Sequence, residues 1–285
     1  MPSAAAPPVL GVLGGMGPVA SAEFLRTLYR AAAFRAEQAA PACILLSDPR
    51  IPDRTAAIRA GTEDEVLERL VSGLDRLERA GATRTLAACV TLHHWLPRLS
   101  PERRRRLISL VDVVVDELRA ASARTLVLCT SGARQARVFE RHPAWGAVAD
   151  RAVFPSPGDQ ERVHGWVFAI KAQRRPRSVL REIGELMGRY GAERWVAGCT
   201  ELHLPANALR AHGCGAAIVD PLFIVAARLD RFMEAPDAPR VPDAHPGADG
   251  LPASRAQADP VRIPSTSPAR SAPRGCGSRT PRRRG

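Results

Sequence analysis

The chain has 285 residues, 45% of them hydrophobic and 25% charged, which is ordinary for a globular protein and long enough for one large core or two smaller ones. No run of about 18 apolar residues occurs and Met1–Pro8 carries no basic stretch, so neither a membrane span nor a signal peptide is expected, and a cytoplasmic location is. The net charge of +12 invites a nucleic-acid reading. However, all but one of the 41 basic residues are arginine, five of the excess charges fall in 235–285, and no nucleic-acid motif accompanies them, so neither nucleic acid nor membrane is an expected partner.

In chain order, Val9–Leu13 reads as a first strand, followed by a glycine-rich loop and an amphipathic helix over Val19–Phe34. Strands are expected at Cys43–Ser47 and Arg84–Cys89, with the helix Glu63–Ala80 between them. Ser100-Pro101-Glu102 is an N-cap with proline at the first helical position. Leu107–Leu110 and Thr125–Cys129 read as strands flanking the helix Val111–Ala121. Ala152–Pro155, Arg194–Gly198 and Ala217–Asp220 are the remaining strands, with helices over Glu161–Gln173 and Ser178–Tyr190. Strand and helix in alternation predict an α/β fold with mostly parallel sheets flanked by helices. Residues 235–285 hold ten prolines and almost no aromatics, too little apolar surface to offset ordering, and are expected to form a disordered C-terminal tail.

An internal repeat organises the rest. Ala88-Cys89-Val90-Thr91-Leu92-His93 is echoed by Gly198-Cys199-Thr200-Glu201-Leu202-His203, and Val9–Leu13 with Gly14-Gly15 by Thr125–Leu128 with Cys129-Thr130-Ser131-Gly132. Two pseudo-twofold related α/β domains are therefore expected: 8–114 plus 213–234 carrying Cys89, and 115–212 carrying Cys199. Ligands of open parallel sheets bind beyond the carboxyl ends of the strands, so both strand-end cysteines should face one cleft.

None of the six cysteines falls in a CxxC or a Cys/His zinc spacing, so no metal is expected. Cys43 and Cys129 lie within apolar strands and read as core, and Cys276 sits in the tail. The loop Gly11-x-x-Gly14-Gly15-x-Gly17 is not G-x-G-x-x-G, and Asp48 comes too late for a dinucleotide site. It is read instead as a loop whose backbone, at Met16 and Gly17, approaches a small carboxylate ligand. A thiol is a base when ionised and an acid when protonated, and a strand-end cysteine ahead of a helix is placed where the thiolate is favoured. Two such groups form an acid/base pair that needs no cofactor.

The chain resembles the aspartate/glutamate racemase family, and within it the aspartate racemases. The resemblance covers about residues 9–234 and rests on several motifs in order: Gly11-Val12-Leu13-Gly14-Gly15-Met16-Gly17-Pro18, Ile51-Pro52-Asp53-Arg54-Thr55, the Cys89 segment, Cys129-Thr130-Ser131-Gly132, Lys171 and Gly198-Cys199-Thr200-Glu201. It implies cofactor-independent, pyridoxal-phosphate-free racemisation of a small acidic amino acid, with Cys89 and Cys199 as the catalytic pair. It also implies Arg54 and Lys171 as the cations for the substrate's side-chain carboxylate, and Thr91, Thr130 and Thr200 near its α-carboxylate or amine. Lys171 is the single lysine of the chain, which suits a position where a compact ammonium is needed. Glu201 and His93 are candidates for assisting Cys199 and Cys89, and a homodimer is implied. One departure stands out: the family usually has Cys-Asn-Thr where this chain has Cys89-Val90-Thr91. Loss of a charge-assisted contact costs roughly 1.5–3 kcal/mol, so weaker catalysis or another carboxylate substrate is expected to follow. Two alternatives stay open: a relative acting as a hydantoin racemase, maleate isomerase or decarboxylase-like enzyme, and a weakly active homologue that binds a dicarboxylate.

Overall fold

The computed structural model describes residues 7–32, 34, 36–173 and 178–234. The segment 235–285, expected to be a disordered tail, and with it Cys276, lies outside the described residues.

The first half runs β1 (Val9–Gly14), α1 (Pro18–Ala31), β2 (Ala42–Ser47), α2 (Arg54–Ala60), α3 (Glu63–Arg79), β3 (Arg84–Ala87), α4 (Pro101–Arg106), β4 (Leu107–Ile108) and α5 (Leu110–Arg119). The second runs β5 (Thr125–Cys129), α6 (Ser131–Gln135), β6 (Ala152–Val153), α7 (Pro157–Lys171), α8 (Ser178–Tyr190), β7 (Arg194–Gly198), α9 (His203–Ala211), β8 (Ile218–Val219), α10 (Pro221–Ala227) and α11 (Leu229–Met233). Two four-stranded sheets result, ordered β2-β1-β3-β4 and β6-β5-β7-β8. Every pairing is parallel, and the two orders are the same pattern repeated. The central strands β1 and β5 are apolar and buried on both faces, as parallel strands covered by helices must be.

The helices begin where local chemistry dictates. Ser100, Ser109, Thr130, Ser156 and Asp220 each accept a backbone N–H at the start of α4, α5, α6, α7 and α10. Ser156 with Pro157 starts α7 four residues ahead of the expected Glu161. Helix α3 places Glu63, Asp64 and Glu65 in its first turn and Arg76 and Arg79 in its last, matching the macrodipole.

A single apolar cluster joins the halves. It contains Leu10, Val12 and Leu86 from the first sheet and Val127, Val196 and Val219 from the second, with α5 and α10 between. The other faces carry separate clusters, one around Leu70, Leu74 and Trp95 and one around Val167, Leu186 and Trp195. Because the central cluster is shared, the described residues up to Glu234 belong to one compact unit. The return segment 213–234, assigned above to the first half, is divided. Its strand β8 pairs with β7 of the second sheet, while α10 packs on α1 and α5. Among the described residues no helix is long and apolar enough to cross a membrane.

Candidate active site

Both repeat cysteines sit just past the carboxyl ends of central strands, Cys89 after β3 and Cys199 after β7, each 5% exposed. Each opens a short 3₁₀ turn of the same form: the N–H of Leu92 donates to the carbonyl of Cys89, and that of Leu202 to the carbonyl of Cys199. The turns are tied to one another. The hydroxyl of Thr200 donates to the carbonyl of Ala88 at 3.1 Å, and the hydroxyls of Thr91 and Thr130 lie 3.0 Å apart. The three threonines named from sequence thus join the two halves, and Thr130 also caps α6 through the N–H of Ala133.

The glycine loop closes one side. Gly15 has φ +93°, and a Cβ there would meet the backbone of Asp48 at 2.4 Å, so only glycine fits. The hydroxyl of Ser21 accepts from the N–H of Gly15 and donates to the carbonyl of Gly17, fixing the turn into α1. Arg54, the first residue of α2, is buried against this loop. Its guanidinium donates to the carbonyls of Pro52 at 2.9 Å and Met16 at 3.0 Å, and its Nε has no partner among the described residues. Burial opposes its charge, but the Cys89 sulfur, Asp53 and Glu201 outweigh that and raise its pKa.

Lys171 ends α7. Its Nζ lies 3.8 Å from Asp53 and 4.8 Å from the ring centre of Phe168, and its charge acts on the Cys199 sulfur. Asp53 meanwhile caps α2, accepting from Ala56, so the Pro-Asp-Arg-Thr turn carries one cation and holds a second.

The two sulfurs have different surroundings. The Cys199 thiol donates to Oε2 of Glu201 at 2.8 Å. Burial first, and then the Glu201 carboxylate, push the Cys199 thiol well above the ordinary range, with Lys171 pulling the other way. Placement ahead of a helix favours a thiolate in isolation, but here desolvation and an adjacent carboxylate win. Glu201 is 2% exposed, and its other oxygen, Oε1, has no hydrogen-bond donor among the described residues. That oxygen lies against Gly17, where a Cβ would come within 2.6 Å of it. An unpaired buried acceptor typically costs about 1–3 kcal/mol.

His93 does not face the sulfurs. Its Nδ1 bonds the carbonyls of Val90 at 3.1 Å and Cys89 at 3.3 Å, and its Nε2 accepts from the N–H of Leu110 at 2.8 Å. Burial lowers its pKa to about 4, so the ring is neutral and clamps the Cys89 turn onto α5. Val90 is buried in the central apolar cluster. Cys43 and Cys129 are structural, their thiols pushed by burial to about 11 and about 12.

Residues 13–229 match the sequence model of the Asp/Glu/hydantoin racemase family. The chain belongs to that family. Its fold agrees: the aspartate racemase of Picrophilus torridus superposes with a TM-score of 0.66 at 22% identity, over 79% of this chain and 94% of that one. An aspartate racemase homologue from Pyrococcus horikoshii OT3 gives 0.59 at 20% identity, over 79% and 98%. A glutamate racemase from Francisella tularensis subsp. tularensis, solved with D-glutamate, gives 0.52 at 14% identity, over 79% and 80%.

This member of the racemase family also holds a polar network that reading its sequence missed. His203, four residues after Cys199, is fully buried and bonds Asp220 through Nδ1 at 2.6 Å and Thr27 through Nε2 at 2.9 Å. Arg210 donates to the same Asp220 oxygen at 2.9 Å. The Cys199 turn is thereby fastened to α1 and to the start of α10. The signal was the repeat itself: His203 occupies the place that His93 holds after Cys89. Among the described residues no group of His, Cys, Asp and Glu could hold a metal ion.

Proposed function

We propose that this racemase-family protein interconverts the enantiomers of an acidic amino acid, with Cys89 and Cys199 as the two acid/base groups. The observation that carries the reading is the bond from Thr200 to the carbonyl of Ala88, which joins the two cysteine turns at the ends of both sheets. Two-base racemisation needs one group on each face of the reacting carbon. In one direction the Cys89 thiolate takes the Cα proton while the Cys199 thiol delivers its own to the opposite face. The products of that step are a Cys89 thiol and a Cys199 thiolate, ready for the reverse direction.

The surroundings of Cys199 support its starting state, since burial and Glu201 hold it as a thiol. The buried guanidinium of Arg54 is within electrostatic reach of the Cys89 sulfur. The substrate's side-chain carboxylate is assigned to Arg54, whose buried Nε is unpartnered, and to Lys171, with Thr91, Thr130 and Thr200 near its α-carbon groups. Fixed dipoles in a dry cleft stabilise the carbanionic state.

The test is solvent exchange. Incubating the protein with L- or D-aspartate, and separately with glutamate, in heavy water should wash deuterium into Cα as the enantiomers interconvert. Cys89→Ala and Cys199→Ala should each abolish interconversion. Racemisation surviving either replacement would end the two-thiol reading.

A further inference from the structure

We infer that Glu201 is a recognition group for the substrate's α-ammonium, its unpartnered Oε1 accepting from the group that distinguishes an amino acid from a plain dicarboxylate. The inference rests on the acidic amino-acid reading above and deepens it. Glu201 is almost completely buried, and its two oxygens have separate fates. Oε2 accepts a hydrogen bond from the Cys199 thiol, whereas Oε1 accepts none among the described residues. A buried carboxylate oxygen calls for a donor, and a charged donor suits it best.

The surroundings say which donor. Oε1 lies against Gly17 in the glycine loop, whose neighbour Met16 holds Arg54 through its carbonyl. Glu201 also acts on the charge of Arg54 as well as on Cys199, so it is within electrostatic reach of both. In a ligand with two carboxylates and one ammonium, the ammonium is bonded to the very carbon that Cys199 protonates. A group already bonded to that thiol is within reach of it. With the side-chain carboxylate assigned to Arg54 and Lys171, Oε1 is the acceptor left for the ammonium. A dicarboxylate without the amine would bring only repulsion to Oε1.

Calorimetry on the full chain tests this with racemic aspartate, so that no net reaction occurs, and with succinate, which has the same two carboxylates and no amine. The wild type should bind aspartate at least about tenfold more tightly than succinate. Glu201→Gln, of the same shape, should weaken aspartate about tenfold or more and leave succinate unchanged or tighter. Should that variant not fold, the wild-type ratio decides alone, with malate as a second amine-free ligand. Equal weakening of both ligands would make Glu201 merely structural and overturn the inference. Unchanged aspartate binding with altered turnover would confine Glu201 to Cys199 and overturn it too. A wild type that binds no acidic amino acid at all would remove the underlying reading as well.

Discussion

The Thr200 hydroxyl donates to the carbonyl of Ala88 across 3.1 Å, so the residue after one cysteine holds the residue before the other. This bond is made between the cysteine turns at the ends of two different sheets. Thr200→Val keeps the shape and removes the donor, leaving a buried carbonyl unpaired. Loss of stability by about 1–2 kcal/mol is expected in urea denaturation. Turnover should fall by at least about tenfold, because the two cysteine turns are no longer held to one another. Loss of stability without loss of turnover would mean that the bond serves the fold alone.

Gly17 gives a complementary prediction. Its φ of −105° is open to any residue, so alanine meets no backbone strain. The added Cβ would instead meet Oε1 of Glu201 at 2.6 Å. Glu201 is buried and can yield only by loosening its bond to Cys199. Gly17→Ala should therefore cost activity, about tenfold or more, while the melting temperature moves by only a few degrees. Wild-type activity in Gly17→Ala would show that Glu201 can retreat freely.

The reach of the sequence follows from how each feature is encoded. Strands such as Thr125–Cys129 and Arg194–Gly198 are apolar runs bounded by turns, and a buried parallel strand carries that signature within itself. The paired cysteines were legible because the chain repeats its motif. Helix α2, at seven residues, is too short to show a period, and its start depends on the Asp53 cap. The division of 213–234 was hidden because a two-residue strand and a helix that face different halves look alike in hydropathy. The unpartnered oxygen of Glu201 exists only once Gly17 and Cys199 are brought to either side of it.

The His203–Asp220 pair predicts an acid-sensitive fold. Burial tends to raise the Asp220 pKa, but His203 and Arg210 dominate and hold it at about 2, against 3.8 for a free carboxyl. The folded value is depressed, so the stabilisation is fully present above about pH 4 and is lost as pH falls through about 2. A shift of this size corresponds to roughly 2–3 kcal/mol. Urea midpoints measured between pH 7 and pH 2.5 should fall across the lower part of that range. Asp220→Asn keeps an acceptor for the N–H groups of Leu222 and Phe223. It should be less stable at pH 7 and show a flatter decline. Parallel pH profiles for the two proteins would remove Asp220 as the cause.

Val90 sets stability and chemistry against each other. Its side chain is 1% exposed in the cluster that joins the two sheets, one residue from Cys89. Asparagine at this position places an amide in that apolar cluster, where unpaired polar atoms cost about 1–3 kcal/mol. For a body of this size that amounts to a loss of about 2–4 °C in Tm for each kcal/mol. If the amide turns toward the cysteine turns instead and meets the substrate's carboxylate, kcat/KM for aspartate should rise about tenfold. The two outcomes are separable by thermal denaturation with and without racemic aspartate. We expect Val90→Asn to melt lower than the wild type when free and to recover most of that loss when the amino acid is bound, because only the ligand offers the amide a partner. A variant equally destabilised in both conditions would show that position 90 faces the core alone, and that valine here carries no consequence for the substrate.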